Sequence, residues 1–127
     1  MQIEETIDFI GLYDRESADR LKRLLDKRGF LRERNVYGEA FTERQFTLIF
    51  EPLLEKALAR ARILEALGRS DGRVRSIAGS LNLSPEKVFQ HMKELMRRNL
   101  VKIVRFEERQ PVFGRKAGRG ATEVSEG

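Results

Sequence analysis

The chain of 127 residues has no cysteine, no tryptophan, three prolines and one histidine. Without cysteine there is no disulfide and no metal held by thiolates. His91 has no second imidazole or thiol to share an ion with, so no metal site is expected, and no cofactor either. No apolar run approaches the roughly 18 residues that a membrane-spanning helix needs, so no membrane contact is expected. The opening stretch MQIEETIDF is acidic where an export signal is basic, which makes the cytoplasm the expected location.

What is present is charge, unevenly spread. Residues 1–55 hold 9 Lys/Arg against 12 Asp/Glu, a balance of −3, while residues 56–127 hold 16 against 8, a balance of +8; together they give the +5 of the whole chain. A basic part joined to a slightly acidic one suggests a module that faces a polyanion, attached to something else. With 40% apolar residues there is enough material for a core.

Residues 1–51 read as an amino-terminal extension. Thr6–Tyr13 is rich in β-branched and aromatic residues and predicts a strand. Asp14 stands where an N-cap belongs, and Ala18, Leu21, Leu24 and Leu25 recur at helical spacing, which predicts a helix from about Arg15 to Arg28 closed at Gly29. The segment 30–41 reads as irregular or strand-like. Thr42–Gln45 fits a capping box, yet Phe46–Phe50 is strongly β-prone and Pro52 discourages a helix through Glu51, so a second strand is expected at 46–50. The extension would then be a small β-α-β unit, serving dimerisation or partner binding.

From Pro52 the periodicity is plain. Leu53, Leu54, Ala57, Leu58, Ala61, Leu64 and Leu67 make one apolar stripe, and the helix is expected to start at Pro52 and end at Gly68 before an Asp71-Gly72 turn. Val74, Ile77, Ala78 and Leu81 form one face of a short helix. Asn82 tolerates a left-handed turn, Leu83 can tuck beneath it, Ser84 is a strong N-cap and Pro85 pre-sets the first helical residue. Val88, Met92 and Leu95 then point inward, and Asn99 suits a second left-handed cap. Leu100–Phe106 and Pro111–Arg115, joined by the polar turn 107–110, predict a β-hairpin. Residues 117–127 have little apolar content and read as a disordered tail.

Three helices followed by a hairpin resemble the winged helix-turn-helix family, including repressors of the ArsR and MarR types. Ile77-Ala78, Leu81-Asn82-Leu83-Ser84, Val88, Met92, Leu95 and Asn99-Leu100-Val101 carry the resemblance, which covers roughly residues 52–116. The expected fold class is therefore α+β, predominantly helical: a winged helix-turn-helix of three helices plus a hairpin wing, behind the amino-terminal extension.

At about 100° per residue, Glu86, Gln90, Lys93 and Arg97 share one stripe of the second helix of the motif, opposite Val88, Met92 and Leu95. The resemblance implies that this helix enters the major groove of DNA. Gln90 would pair with adenine, Lys93 and Arg97 would reach bases or phosphates, and Lys87 would meet the backbone. Arg73, Arg75, Arg105, Arg109, Arg115 and Lys116, with Arg69 and Arg119, are candidate phosphate contacts. Taken alone, the same stripe is an ordinary solvated helix face of mixed charge.

Some residues depart from that pattern. Phe89 either extends the core with Met96, the commoner fate of an aromatic at a core edge, or stands as an exposed anchor for a protein. Glu86 would repel phosphates unless it accepts from cytosine. Glu107-Glu108-Arg109-Gln110 gives the hairpin tip a net negative charge, whereas wings that enter the minor groove are usually basic.

No catalytic residue emerges. His91 reads as a partly buried packing residue, Asp14, Glu39 and Glu43 form no identifiable acid–base pair, and GRKAGRG lacks the strand-to-helix setting of a phosphate loop. An enzyme is not expected. The leading expectation is a transcriptional regulator that binds double-stranded DNA as a homodimer, with the extension and the Pro52–Leu67 helix as the dimer surface. The alternative is a non-catalytic winged-helix adaptor that docks protein in a larger complex through Glu86 and Phe89. A buried Phe89 is expected of the first reading and an exposed one of the second.

Overall fold

In the computed structural model, residues 2–33 and 43–116 are described, and they form five helices followed by one two-stranded antiparallel hairpin. The chain divides into two compact units, residues 1–61 and 62–127.

The first unit is helical where strands were expected. Helix α1 spans Ile3–Tyr13 and α2 spans Arg15–Glu33. Thr6, Ile7 and Ile10 are the buried residues of α1, a spacing that lines one side of a helix and that a strand's two-residue alternation cannot produce. Glu4 and Glu5 lie in the first turn, and the backbone N–H of Gln2 donates to Oε1 of Glu5 at 3.2 Å, so the helix start is both charge-matched and capped.

Asp14 caps α2 as its position suggested. Its Oδ1 accepts from the backbone N–H of Ser17 at 3.3 Å, and its carbonyl accepts from Ala18 at 3.1 Å. A Cβ built at Gly11 would lie 3.3 Å from Cβ of Ala18, so α1 and α2 pack closely at this point. The expected end at Gly29 is overturned, because α2 continues to Glu33. A glycine inside a helix costs only about 1 kcal/mol against alanine, which neighbouring turns can offset.

Helix α3 spans Glu43–Leu67 with Pro52 inside it, so neither the strand at Phe46–Phe50 nor a helix start at Pro52 exists, and the β-α-β extension falls with them. The physical reason is packing. Phe46 and Phe50 stack with ring centroids 5.1 Å apart, and both are buried with Ile7, Ile10, Ala18, Leu21, Ala57 and Ala61. Burying two phenylalanines from one helical face outweighs their β preference, which mainly reflects fit to a pleated surface. The guanidinium of Arg28 lies 5.4 Å from the Phe46 ring centroid. The expected irregular segment ends its described part as helix, up to Glu33; its remainder, the Thr42 cap and the tail at 117–127 lie outside the described residues.

The second unit is built on the last turns of α3. Ile63, Leu64, Ala66 and Leu67 are buried, as are Ile77 and Ala78 of α4 (Val74–Leu81), Val88, Met92 and Leu95 of α5 (Pro85–Arg97), and Val101, Val112 and Phe113 of the hairpin. The strands β1 (Val101–Glu107) and β2 (Gln110–Arg115) pair antiparallel, with a register shift between Ile103 and Arg105 that leaves Val104 unpaired. An isolated bridge from Arg73 to Val112 ties the start of α4 to this hairpin.

Candidate nucleic-acid interface

The α4–α5 turn forms as its residues predicted. Asn82 sits in the left-handed region at φ 59° and ψ 43°, and the N–H of Leu83 donates to the carbonyl of Ala78 at 3.0 Å. Ser84 Oγ accepts from the N–H of Lys87 at 3.1 Å, and Pro85 fills the first helical position. Asn99, at φ 67°, makes the second left-handed cap. Together these lock the rotation of α5 about its axis, since Val88, Met92 and Leu95 are all fully buried.

That rotation leaves Glu86, Lys87, Gln90, Lys93 and Arg97 exposed on the outer side of α5. The five do not stand alike. Arg97 is held by Glu94, with Nε at 3.0 Å from Oε1 and a second nitrogen at 2.5 Å from Oε2, and this carboxylate raises the arginine's pKa. Lys93 lies over the Phe89 ring, its Nζ 5.5 Å from the centroid. His91 is half-buried, as expected of a packing residue.

Phe89 is 43% exposed and Met96 is exposed too, so the expected extension of the core by this pair does not occur. The inward face of α5 is already filled by Val88, Met92 and Leu95, and Phe89 falls on the shoulder beyond it. There it lines a groove of about 310 Å³ with Val74, Arg75, Pro85, Glu86, Gln110 and Pro111. The groove runs between the start of α5 and the hairpin. Its apolar walls come from Val74, Pro85, Phe89 and Pro111, while Arg75, Glu86 and Gln110 supply its polar atoms.

The flanking arginines are partly engaged within the protein. Arg73 pairs with Glu107, and Arg105 Nε reaches the same carboxylate at 2.5 Å. Arg73 first and Arg105 second hold the Glu107 carboxyl below the usual carboxylate range. Two expected phosphate ligands are thus joined to one glutamate that fixes the hairpin to the start of α4. Lys116 donates to Oδ1 of Asn99. Arg75, Arg109 and Arg115 have exposed side chains. Arg119 lies outside the described residues.

The groove and the apolar outer face of the hairpin have no counterpart among the residues expected from sequence. Ile103, Val104 and Phe106 are exposed, Phe106 at 65%. The strand VKIVRFE carries more apolar residues than one buried face can use, which was the available signal. The hairpin tip was also hidden. Glu108 and Arg109 both take left-handed backbone, at φ 52° and 68°, the conformation of a two-residue primed turn usually made by Asn-Gly.

Among the described residues no cluster of His, Cys, Asp or Glu is arranged to hold a metal ion, and no helix is long and apolar enough to cross a membrane. No family model matches the chain, and no curated protein or solved structure matches it either.

Proposed function

We propose that the second unit, from the last turns of α3 to residue 116, is a winged helix-turn-helix that binds duplex DNA, and that the protein is a transcriptional regulator working as a homodimer. The observation that carries this reading is the locked rotation of α5. Its buried Val88, Met92 and Leu95 aim Lys87, Gln90 and Lys93 outward beside the hairpin. In this reading α5 lies in the major groove and Gln90 pairs with an adenine edge through its amide. Lys87, Lys93, Arg75, Arg109, Arg115 and Lys116 meet phosphates, and Arg97 exchanges Glu94 for DNA. Residues 62–116 hold 13 Lys/Arg against 6 Asp/Glu, a surplus of the sign required. Arg73 and Arg105 serve the module's own structure through Glu107.

For dimerisation, Leu12, Leu48, Ile49 and Leu53 of the first unit provide exposed apolar surface. Sedimentation of the purified chain tests it, and a monomer at all accessible concentrations removes the dimer from the proposal.

A second reading is favoured by one observation. Phe89 is exposed, the outcome expected of a protein-docking adaptor, and Phe106 is exposed with it. Titration with duplex DNA across a salt series separates the two. A DNA-binding module shows affinity that falls steeply with salt, and Gln90→Ala relaxes sequence choice while leaving much of the affinity. Absence of binding at low salt ends the DNA reading.

A further inference from the structure

We propose that Phe89 is a thymine reader: its ring packs against the 5-methyl group of a thymine next to the adenine that Gln90 holds. The inference rests on the DNA-binding reading and adds a specificity-determining residue to it.

Phe89 and Gln90 are consecutive, about 100° apart round α5. Lys93, one turn on, falls between them and lies over the ring. An apolar group is thereby placed beside a hydrogen-bonding one on the same exposed surface. The major-groove edge of an A·T pair asks for that combination: adenine offers an acceptor and a donor to an amide, and thymine offers a methyl group to an apolar side chain. Phe89 stands on the shoulder facing the hairpin, whereas Gln90 lies on the outer stripe. The thymine methyl likewise stands to the side of the groove floor, toward its own backbone. The strand bearing it would run along the groove lined by Val74, Pro85 and Pro111. Glu86 lines the same groove and opposes a phosphate chain, so Arg75 at the groove and Lys87 and Lys93 on α5 have to outweigh it. Lys93 over the ring and Arg75 in the groove place two cations by a side chain that is 43% exposed.

The test uses two alternating duplexes, one of dA and dT and one of dA and dU, which differ only in the 5-methyl group. Binding of the full chain to each is followed by fluorescence anisotropy at low salt. The wild type should prefer the dA-dT duplex roughly fourfold, the factor that burial of one methyl group supplies. Phe89→Ala should abolish that preference, so that its affinities for the two duplexes become equal, and Phe89→Leu should keep part of the preference. Gln90→Ala should weaken binding to both duplexes alike. Circular dichroism of each variant shows that it is folded. Equal wild-type affinity for the two duplexes, or a preference that survives in Phe89→Ala, overturns the assignment and leaves DNA binding standing. Failure to bind either duplex overturns both readings.

Discussion

Replacing Gly72 by alanine should destabilise the second unit by about 2–3 kcal/mol, and the reasons can be separated. Gly72 has φ +84°, a region that costs a residue with a Cβ about 1–2 kcal/mol. The new Cβ would also stand 2.3 Å from the carbonyl oxygen of Phe113 and 3.0 Å from Cγ1 of Val112. Both belong to the hairpin, so strand β2 has to move away from residue 72. That movement stretches the hydrogen bond from the N–H of Phe113 to the carbonyl of Gly72, now 2.8 Å, whose loss is worth about 1 kcal/mol. Urea denaturation measures the whole, and hydrogen exchange at the Phe113 amide measures the local effect. Gly79→Ala is the control. Its Cβ would meet nothing within 4 Å on the exposed side of α4, so it should stabilise by about 0.5–1 kcal/mol. A Gly72→Ala loss below about 1 kcal/mol, or unchanged exchange at Phe113, would refute the close approach of turn and hairpin.

Other outcomes follow from the same architecture. Ser84→Ala should cost about 1 kcal/mol in denaturation, since it removes the acceptor for the Lys87 N–H, and Ser84→Asp should restore most of it. Glu108→Asn with Arg109→Gly should stabilise by about 1 kcal/mol, because residues suited to the left-handed region replace two that are not. Thermal melts of the double variant that match the wild type would discount strain at the tip. The Glu107 carboxyl is held down by Arg73 and then Arg105, so its folded pKa lies below its unfolded one. Its contribution is therefore complete above the ordinary glutamate range and disappears as pH falls through the lowered value. Glu107→Gln should flatten that acid limb of the stability curve; an unchanged limb would show that other carboxylates set it.

The legible parts were those where local chemistry and burial agree. Ser84-Pro85 can begin a helix in any setting, and Asn82 and Asn99 are among the few residues that enter the left-handed region cheaply. Over Phe46–Phe50 five consecutive residues favour a strand, but helical packing overrides that local preference. The wider spacing of Phe46, Phe50, Leu54, Ala57 and Ala61 traces one helical face, and it was available in the sequence. Ile7 and Ile10 repeat the lesson in α1, where two β-branched residues three apart share a helix side.

By itself the sequence determined the turn between α4 and α5, the cap at Asp14, the hairpin strands and the inward face of α5. Each depends on residues within a turn or two of one another. Only the tertiary structure decided that Pro52 lies inside a helix, that Phe89 stays in solvent, and that Arg73 and Arg105 share Glu107. Those outcomes depend on which distant surfaces meet. A proline is tolerated when Phe46 and Phe50 gain enough by burial. An aromatic stays exposed when Val88, Met92 and Leu95 have already filled the core. An arginine commits to a glutamate 34 residues away once the hairpin folds back on α4.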